Sequence, residues 1–175
     1  MALTPFNLTT WIDEHRHLLK PPVGNAQIWK EGNPEFIVMV IGGPNSRKDF
    51  HVDAGEELFY QLEGDITVRI VEDGAIREIA INEGDIFLLP PMVPHSPQRG
   101  PNTIGLVVER RRRNGEEDGF QWYCENCGEK IHEIFFPVTD ITTQLKPAFD
   151  AFWADIDART CGNCGTVLEP PPPVE

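Results

Sequence analysis

His51-Val52-Asp53-Ala54-Gly55-Glu56-Glu57-Leu58-Phe59-Tyr60-Gln61-Leu62-Glu63-Gly64 and, further along, Gly84-Asp85-Ile86-Phe87-Leu88-Leu89-Pro90-Pro91-Met92-Val93-Pro94-His95 are the two stretches on which the reading turns. The first sets a histidine and a glutamate six residues apart, ahead of an apolar run that ends in a turn glycine. The second opens on a Gly-Asp turn, passes through an apolar run and closes on a second histidine. A single histidine near a strand is usually structural. Two imidazoles and a carboxylate in this order are a candidate ligand set, His51, Glu57 and His95, for a divalent ion.

The surroundings read as short β-type runs separated by turn chemistry. The runs are Phe36 to Ile41, Leu58 to Leu62, Ile66 to Val71, Ile76 to Ile81, Ile86 to Leu89 and Ile104 to Val108. Between them lie Gly42-Gly43-Pro44-Asn45, Glu63-Gly64-Asp65, Glu72-Asp73-Gly74 and Asn82-Glu83-Gly84-Asp85. Many short strands at regular spacing predict a mainly β fold, a small barrel or jelly roll. Before them, Trp11 to Leu19 forms an amphipathic piece with Thr9 and Thr10 as candidate caps, stopping at Pro21-Pro22. After Gly119 the composition changes, and a helical segment is expected around Pro147 to Ile156.

All four cysteines fall in two Cys-x-x-Cys pairs, Cys124/Cys127 and Cys161/Cys164. In a chain without a secretion signal, two such knuckles predict a closed tetrahedral thiolate site for zinc or iron rather than disulfides. A closed site has no position for a substrate, so its expected role is to staple the C-terminal segment. The chain thus divides into a barrel with a helical arm (1–118), a rubredoxin-like or zinc-ribbon-like four-cysteine segment packed on it (119–168) and a proline-rich tail (169–175).

The chain has 175 residues, and its formal net charge of -13 argues against nucleic acid or an anionic membrane as partners. The run Arg110 to Arg113 is the local exception. It follows an apolar strand and reads as a solvated strand end, with a nucleic-acid or nuclear-import patch as the alternative. With neither a leader nor a membrane-length apolar run, the expected location is the cytoplasm.

The two histidine-bearing stretches resemble the paired motifs of the cupin superfamily. Asp53 stands where a second histidine is usual and Met92 where the inner glycine of the second motif is usual, which leaves three protein ligands. Beyond those motifs, Leu18-Leu19-Lys20-Pro21-Pro22-Val23-Gly24-Asn25, Gly42-Gly43-Pro44-Asn45 and His95-Ser96-Pro97-Gln98-Arg99 resemble the 3-hydroxyanthranilate 3,4-dioxygenase family over nearly the whole chain. The resemblance implies a cupin jelly roll and iron(II) at His51, Glu57 and His95, with a second iron or zinc at the four cysteines. It implies ring opening of 3-hydroxyanthranilate by dioxygen to 2-amino-3-carboxymuconate semialdehyde, the precursor of quinolinate, in tryptophan degradation and NAD synthesis.

The same resemblance gives Arg99 to the substrate carboxylate, Arg47 to dioxygen and Glu109 to the proton of the substrate hydroxyl, and it implies a homodimer. The rival readings are another metal-dependent cupin enzyme, an isomerase or a different oxygenase, and a non-enzymatic zinc-ribbon module.

Overall fold

The protein is described by a computed structural model covering residues 4–21, 24–32, 34–138 and 141–174, with only the backbone of 141–143. Pro22 and Val23, named above, and the last position of the proline-rich tail, 175, lie outside the described residues.

Among the described residues the strands form two antiparallel sheets. The five-stranded sheet runs in the order β1 (Asn25–Gln27), β2 (Phe36–Gly42), β9 (Ile104–Arg110), β4 (Glu57–Glu63), β7 (Ile86–Leu89). The six-stranded sheet runs β11 (Lys130–Phe136), β10 (Asp118–Tyr123), β3 (Asp49–Val52), β8 (His95–Arg99), β5 (Ile66–Glu72), β6 (Ala75–Ile81). Period-two patterning decides which side chains face inward. Along β5 it buries Ile66, Val68 and Ile70, which meet Phe59 and Val107 from the other sheet in one core with Met39, Ile81 and Leu89. This is the expected jelly roll.

Every strand expected from an apolar run is present, within two residues at either end. Five strands have no counterpart in those expectations: β1, β3, β8, β10 and β11. Helix α1 spans Leu8–His15, earlier than expected, because Asn7 rather than a threonine is its cap; the Asn7 side chain accepts the Thr10 N–H at 2.9 Å. A single 3₁₀ turn, Arg16–Leu18, carries the chain on to Leu19. Ile12 and Leu19 bury Val40 and Ile104 on the outer face of the five-stranded sheet.

Helix α2 spans Ile141–Ala154, starts earlier than expected and keeps Pro147 inside. An interior proline costs a helix about 3 kcal/mol. Here Phe152 is buried in one cluster with Phe120 and Trp122, Leu145, Phe149 and Trp153 are partly buried against it, and a fully buried large side chain contributes about 1.5–3 kcal/mol. Packing outweighs propensity, and the helix continues.

Strand β10, which opens the segment after 118, is hydrogen bonded to β3 along Gly119–Trp122 and to β11 on its other side. Among the described residues no helix is long and apolar enough to cross a membrane.

Candidate metal centre and active site

Three strands from the two sheets bring the candidate ligands together. His51 on β3 and His95 on β8 are register partners in one sheet. Glu57, the first residue of β4, faces them from the other sheet, opposite Glu109 on β9. One ligand atom from each of His51, Glu57 and His95 lies within 4.8 Å of the other two. The turn that delivers His95 explains the unusual Met92. Its φ is 63°, the left-handed conformation that a glycine takes without cost, so the backbone keeps the motif's shape although the residue type departs from it.

The protonation of His95 follows from its contacts. Its Nδ1 lies 3.0 Å from the Val93 carbonyl, which can only accept, so Nδ1 carries the proton and Nε2 has the lone pair. That lone pair lies 2.8 Å from Glu57 Oε2, itself an acceptor and without a hydrogen bond of acceptable angle among the described residues. Two buried acceptors this close need a positive charge between them, either a proton or a metal ion.

In the metal-free protein the two groups favour a proton at that place. Burial alone would raise the Glu57 carboxyl, but His95 outweighs it, helped by His51 and Arg47, and holds it at about 2. Burial likewise works against the charged form of His95, and Glu57 overrides it and raises the imidazole above its ordinary value. The donor set, two imidazoles and a carboxylate with open positions beside it, fits iron(II), and zinc accepts the same groups.

The second layer comes from β10 and the turn before it. Asp118, fully buried, accepts a hydrogen bond from His51 Nε2 at 2.7 Å. Phe120 stacks on the His51 ring at 5.1 Å, and Phe149 of α2 packs on Phe120 in turn. Asp53, at the usual position of a second histidine ligand, is turned away from the cluster. Its Oδ1 accepts the Gly55 N–H, and its Oδ2 is 3.1 Å from Arg112 Nη2.

The remaining expected residues border the same interior. Arg99 lies on the face of β8 that His95 presents, four residues on. Its side chain is buried and reaches Gln61 Oε1 at 3.4 Å, and among the described residues it has no ion-pair partner. Burial lowers its guanidinium to about 10, which still leaves a cation at neutral pH. Gly105 makes room for it, since a Cβ there would sit 2.9 Å from Arg99 Nη1 and 2.8 Å from Gln61 Oε1. Arg47 is half-buried at the rim and pairs with Asp49. Glu109 is buried, 2.8 Å from Arg112 Nη1. Burial is the largest influence on its carboxyl and raises it to about 8 against the pull of Arg112, which suits a group that exchanges a proton near neutrality.

Only Arg113 of the arginine run is exposed as a solvated strand end would be. Arg110 makes a two-pronged pair with Glu116 at 2.6 and 2.7 Å, and Arg112 turns inward to Asp118, Glu109 and Asp53. Burying Arg112 sets one cation among three buried carboxyl groups, Asp53, Glu109 and Asp118. Sequence reasoning missed Asp118, Arg112, Gln61, Phe120 and Gly105. Gly105, a lone glycine inside an apolar strand run, carried a legible signal of close approach; the others did not.

The four cysteines form a second cluster. Their Sγ atoms lie within 4.8 Å of one another, with Cys124 to Cys164 at 3.5 Å and Cys127 to Cys161 at 3.6 Å. A tetrahedron of thiolates about 2.3 Å from a metal has edges of about 3.8 Å, whereas a disulfide needs about 2.0 Å. The two knuckles share one backbone pattern. Gly128 and Gly165 take positive φ and donate to the Cys124 and Cys161 carbonyls at 2.9 and 2.8 Å.

A double-sheet barrel that gathers histidine, glutamate and histidine into its interior has the expected cupin architecture with a candidate three-ligand metal site. Comparison with known proteins narrows the class. The model of the family described as 3-hydroxyanthranilic acid dioxygenase matches residues 1–153, and this chain belongs to that family. Among curated relatives, the 3-hydroxyanthranilate 3,4-dioxygenase of Xanthomonas euvesicatoria is 52% identical over 98% of this chain and 96% of the relative. Those of Shewanella woodyi and Ruegeria pomeroyi are 51% and 49% identical over 97% of this chain, covering 90% and 95% of their own lengths.

Proposed function

We propose that this chain opens the ring of 3-hydroxyanthranilate with dioxygen, giving 2-amino-3-carboxymuconate semialdehyde, at an iron(II) held by His51, Glu57 and His95. The observation that carries the reading, beside family membership, is Arg99: a buried cation without an ion-pair partner among the described residues, on the interior face that also presents His95. A buried charge without a counter-ion is costly, and a substrate carboxylate would complete it with two parallel hydrogen bonds.

Bound iron(II) would supply open positions where the adjacent hydroxyl and amine of the substrate and dioxygen meet. Arg99 fixes the carboxylate and so the orientation of the ring. The charge of Glu57 helps to raise the Glu109 carboxyl, so a metal ion on Glu57 would lower it and leave Glu109, on the neighbouring strand, free to accept the proton of the ring hydroxyl as the substrate binds and to return it as the ring opens. Arg47 at the rim offers N–H donors to oxygen as negative charge develops. Phe120 and the aromatic face of α2 close one side of the chamber against water. In this reading the four thiolates hold zinc or a second iron in a structural role.

Four free cysteines in two ligating knuckles suit a reducing compartment, which supports a cytoplasmic location. A homodimer is part of the same reading. Tyr60, Ile86 and Leu88 stand exposed on the outer face of the five-stranded sheet, as cross-strand neighbours with Leu58 and Leu106, and an apolar patch of this kind is covered by a second copy.

The test is oxygen uptake. Metal-free protein reloaded anaerobically with iron(II) should consume one dioxygen per 3-hydroxyanthranilate and accumulate an absorbing semialdehyde that decays to quinolinate. Zinc-loaded protein should not. Absence of uptake by the iron-loaded protein refutes the assignment.

A further inference from the structure

We propose that Asp118 is a positioning residue for His51 and that Arg112 holds Asp118 in place, so that the grip on the catalytic metal depends on this buried chain of contacts and not on the three ligands alone. The inference rests on the reading of His51 as a metal ligand and names what orients it.

The geometry gives each contact a defined role. A carboxylate can only accept, so the 2.7 Å contact puts the proton on His51 Nε2 and leaves the lone pair on Nδ1. Without Asp118 the ring is free to take the other tautomer or to turn about its Cβ–Cγ bond, and an imidazole presented the wrong way costs metal affinity. Asp118 is itself held at both oxygens. Arg112 donates from Nε to Oδ1 at 2.7 Å and from Nη2 to Oδ2 at 2.6 Å, a planar two-pronged pair that lysine cannot reproduce.

Oδ2 therefore receives hydrogen bonds from both His51 and Arg112, which fixes its position. Arg112 is anchored in turn, by Glu109 at 2.8 Å and by Asp53 at 3.1 Å, and its side chain is only 10% exposed. Asp53 thus keeps a part in the site without being a ligand. It occupies the usual place of a second histidine and contributes charge to the arginine that orients the histidine that remains.

A merely structural ion cluster would affect folding and leave the metal's environment unchanged, so the experiment reads that environment directly. Full-length protein is stripped of metal, its four-thiolate site is filled with one equivalent of zinc, and cobalt(II) is titrated in against a competing chelator. The readings are the cobalt dissociation constant, the visible ligand-field spectrum and the thermal midpoint of the cobalt-free protein. Asp118→Asn keeps the shape of the side chain and is expected to weaken cobalt binding about 10–100-fold and to shift the spectrum, with little change in the cobalt-free midpoint. Arg112→Lys is expected to weaken it in the same direction, by less.

An Asp118→Asn protein with wild-type affinity and spectrum overturns the proposal. If that variant does not fold, Arg112→Lys decides by the same two readings, and unchanged values there overturn it equally. His51→Ala is the reference. Should it keep wild-type cobalt affinity, the assignment of His51 as a ligand falls. Should it lose cobalt while Asp118→Asn does not, only the role of Asp118 falls.

Discussion

At the scale of single residues, the close buried pair of His95 and Glu57 should give the metal-free protein a distinct pH signature. The Glu57 contribution to stability is complete above the ordinary carboxyl value of 4.5 and is lost as pH falls towards about 2. The His95 contribution is complete below its ordinary value of 6.5 and is lost as pH rises past its raised folded value. Thermal melts of metal-free wild type and Glu57→Gln should therefore differ most between pH 4.5 and 6.5 and converge on either side. A gap that stays constant from pH 3 to 9 would show that the pair is not ionised as described. Gly105 makes the other residue-scale prediction. A methyl group there displaces Arg99, so Gly105→Ala should raise KM for 3-hydroxyanthranilate by 10-fold or more, about 1.4 kcal/mol, with metal content unchanged. 2-Aminophenol, which lacks the carboxylate, should be turned over equally by wild type and variant; a parallel loss with both substrates would mean that Gly105→Ala damages more than the carboxylate pocket.

At the scale of elements, what could be read in the sequence and what could not divide along one physical line. Strands that bury apolar residues on one face, such as β5 with Ile66, Val68 and Ile70, announce themselves by alternation. Strands β3, Asp49-Phe50-His51-Val52, and β8, His95-Ser96-Pro97-Gln98-Arg99, do not, because their inward positions carry the polar groups of the site and β8 has a proline at its centre. That proline is tolerated because β8 pairs with β3 at one position only, while β5 backs it along its length. The cluster of His51, Glu57 and His95 was legible from motif spacing. Asp118 and Arg112 were not, since a lone aspartate before a strand and one arginine among four carry no pattern. Strand β10 also links the two clusters. It bears Asp118 and Phe120 against His51, then Trp122, and the chain leaves it directly into Cys124. Cys124→Ser should therefore lower the thermal midpoint by about 10 °C, a loss of about 3 kcal/mol, and should also loosen retention of the catalytic metal, measured as metal per chain after dialysis against a chelator. A stable variant with full catalytic metal content and no turnover would instead give the thiolate site a part in the chemistry.

At the scale of the whole molecule, the exposed Tyr60, Ile86 and Leu88 make the association state a direct reading of surface chemistry. Placing charge there, as Ile86→Glu with Leu88→Glu, should convert the proposed dimer to a monomer in sedimentation while the barrel stays folded; a wild type that already sediments as a monomer, or a variant with an unchanged coefficient, would overturn this interface. The order of the chain adds a constraint of another kind. On a ribosome, His51, Glu57 and His95 emerge before Asp118, Phe120 and the cysteines exist, so the nascent barrel presents three ligands with their orienting shell still unmade. Iron captured at that stage would be held by an unguided imidazole, and β3 would lack its β10 neighbour. Secure loading must then wait until β10 has docked and the second knuckle, at Cys161 and Cys164, has been synthesised. On the proposed reading, the strand that joins the two clusters thereby acts as a timer, tying the readiness of the candidate catalytic site to the synthesis of the residues from Asp118 to Cys164.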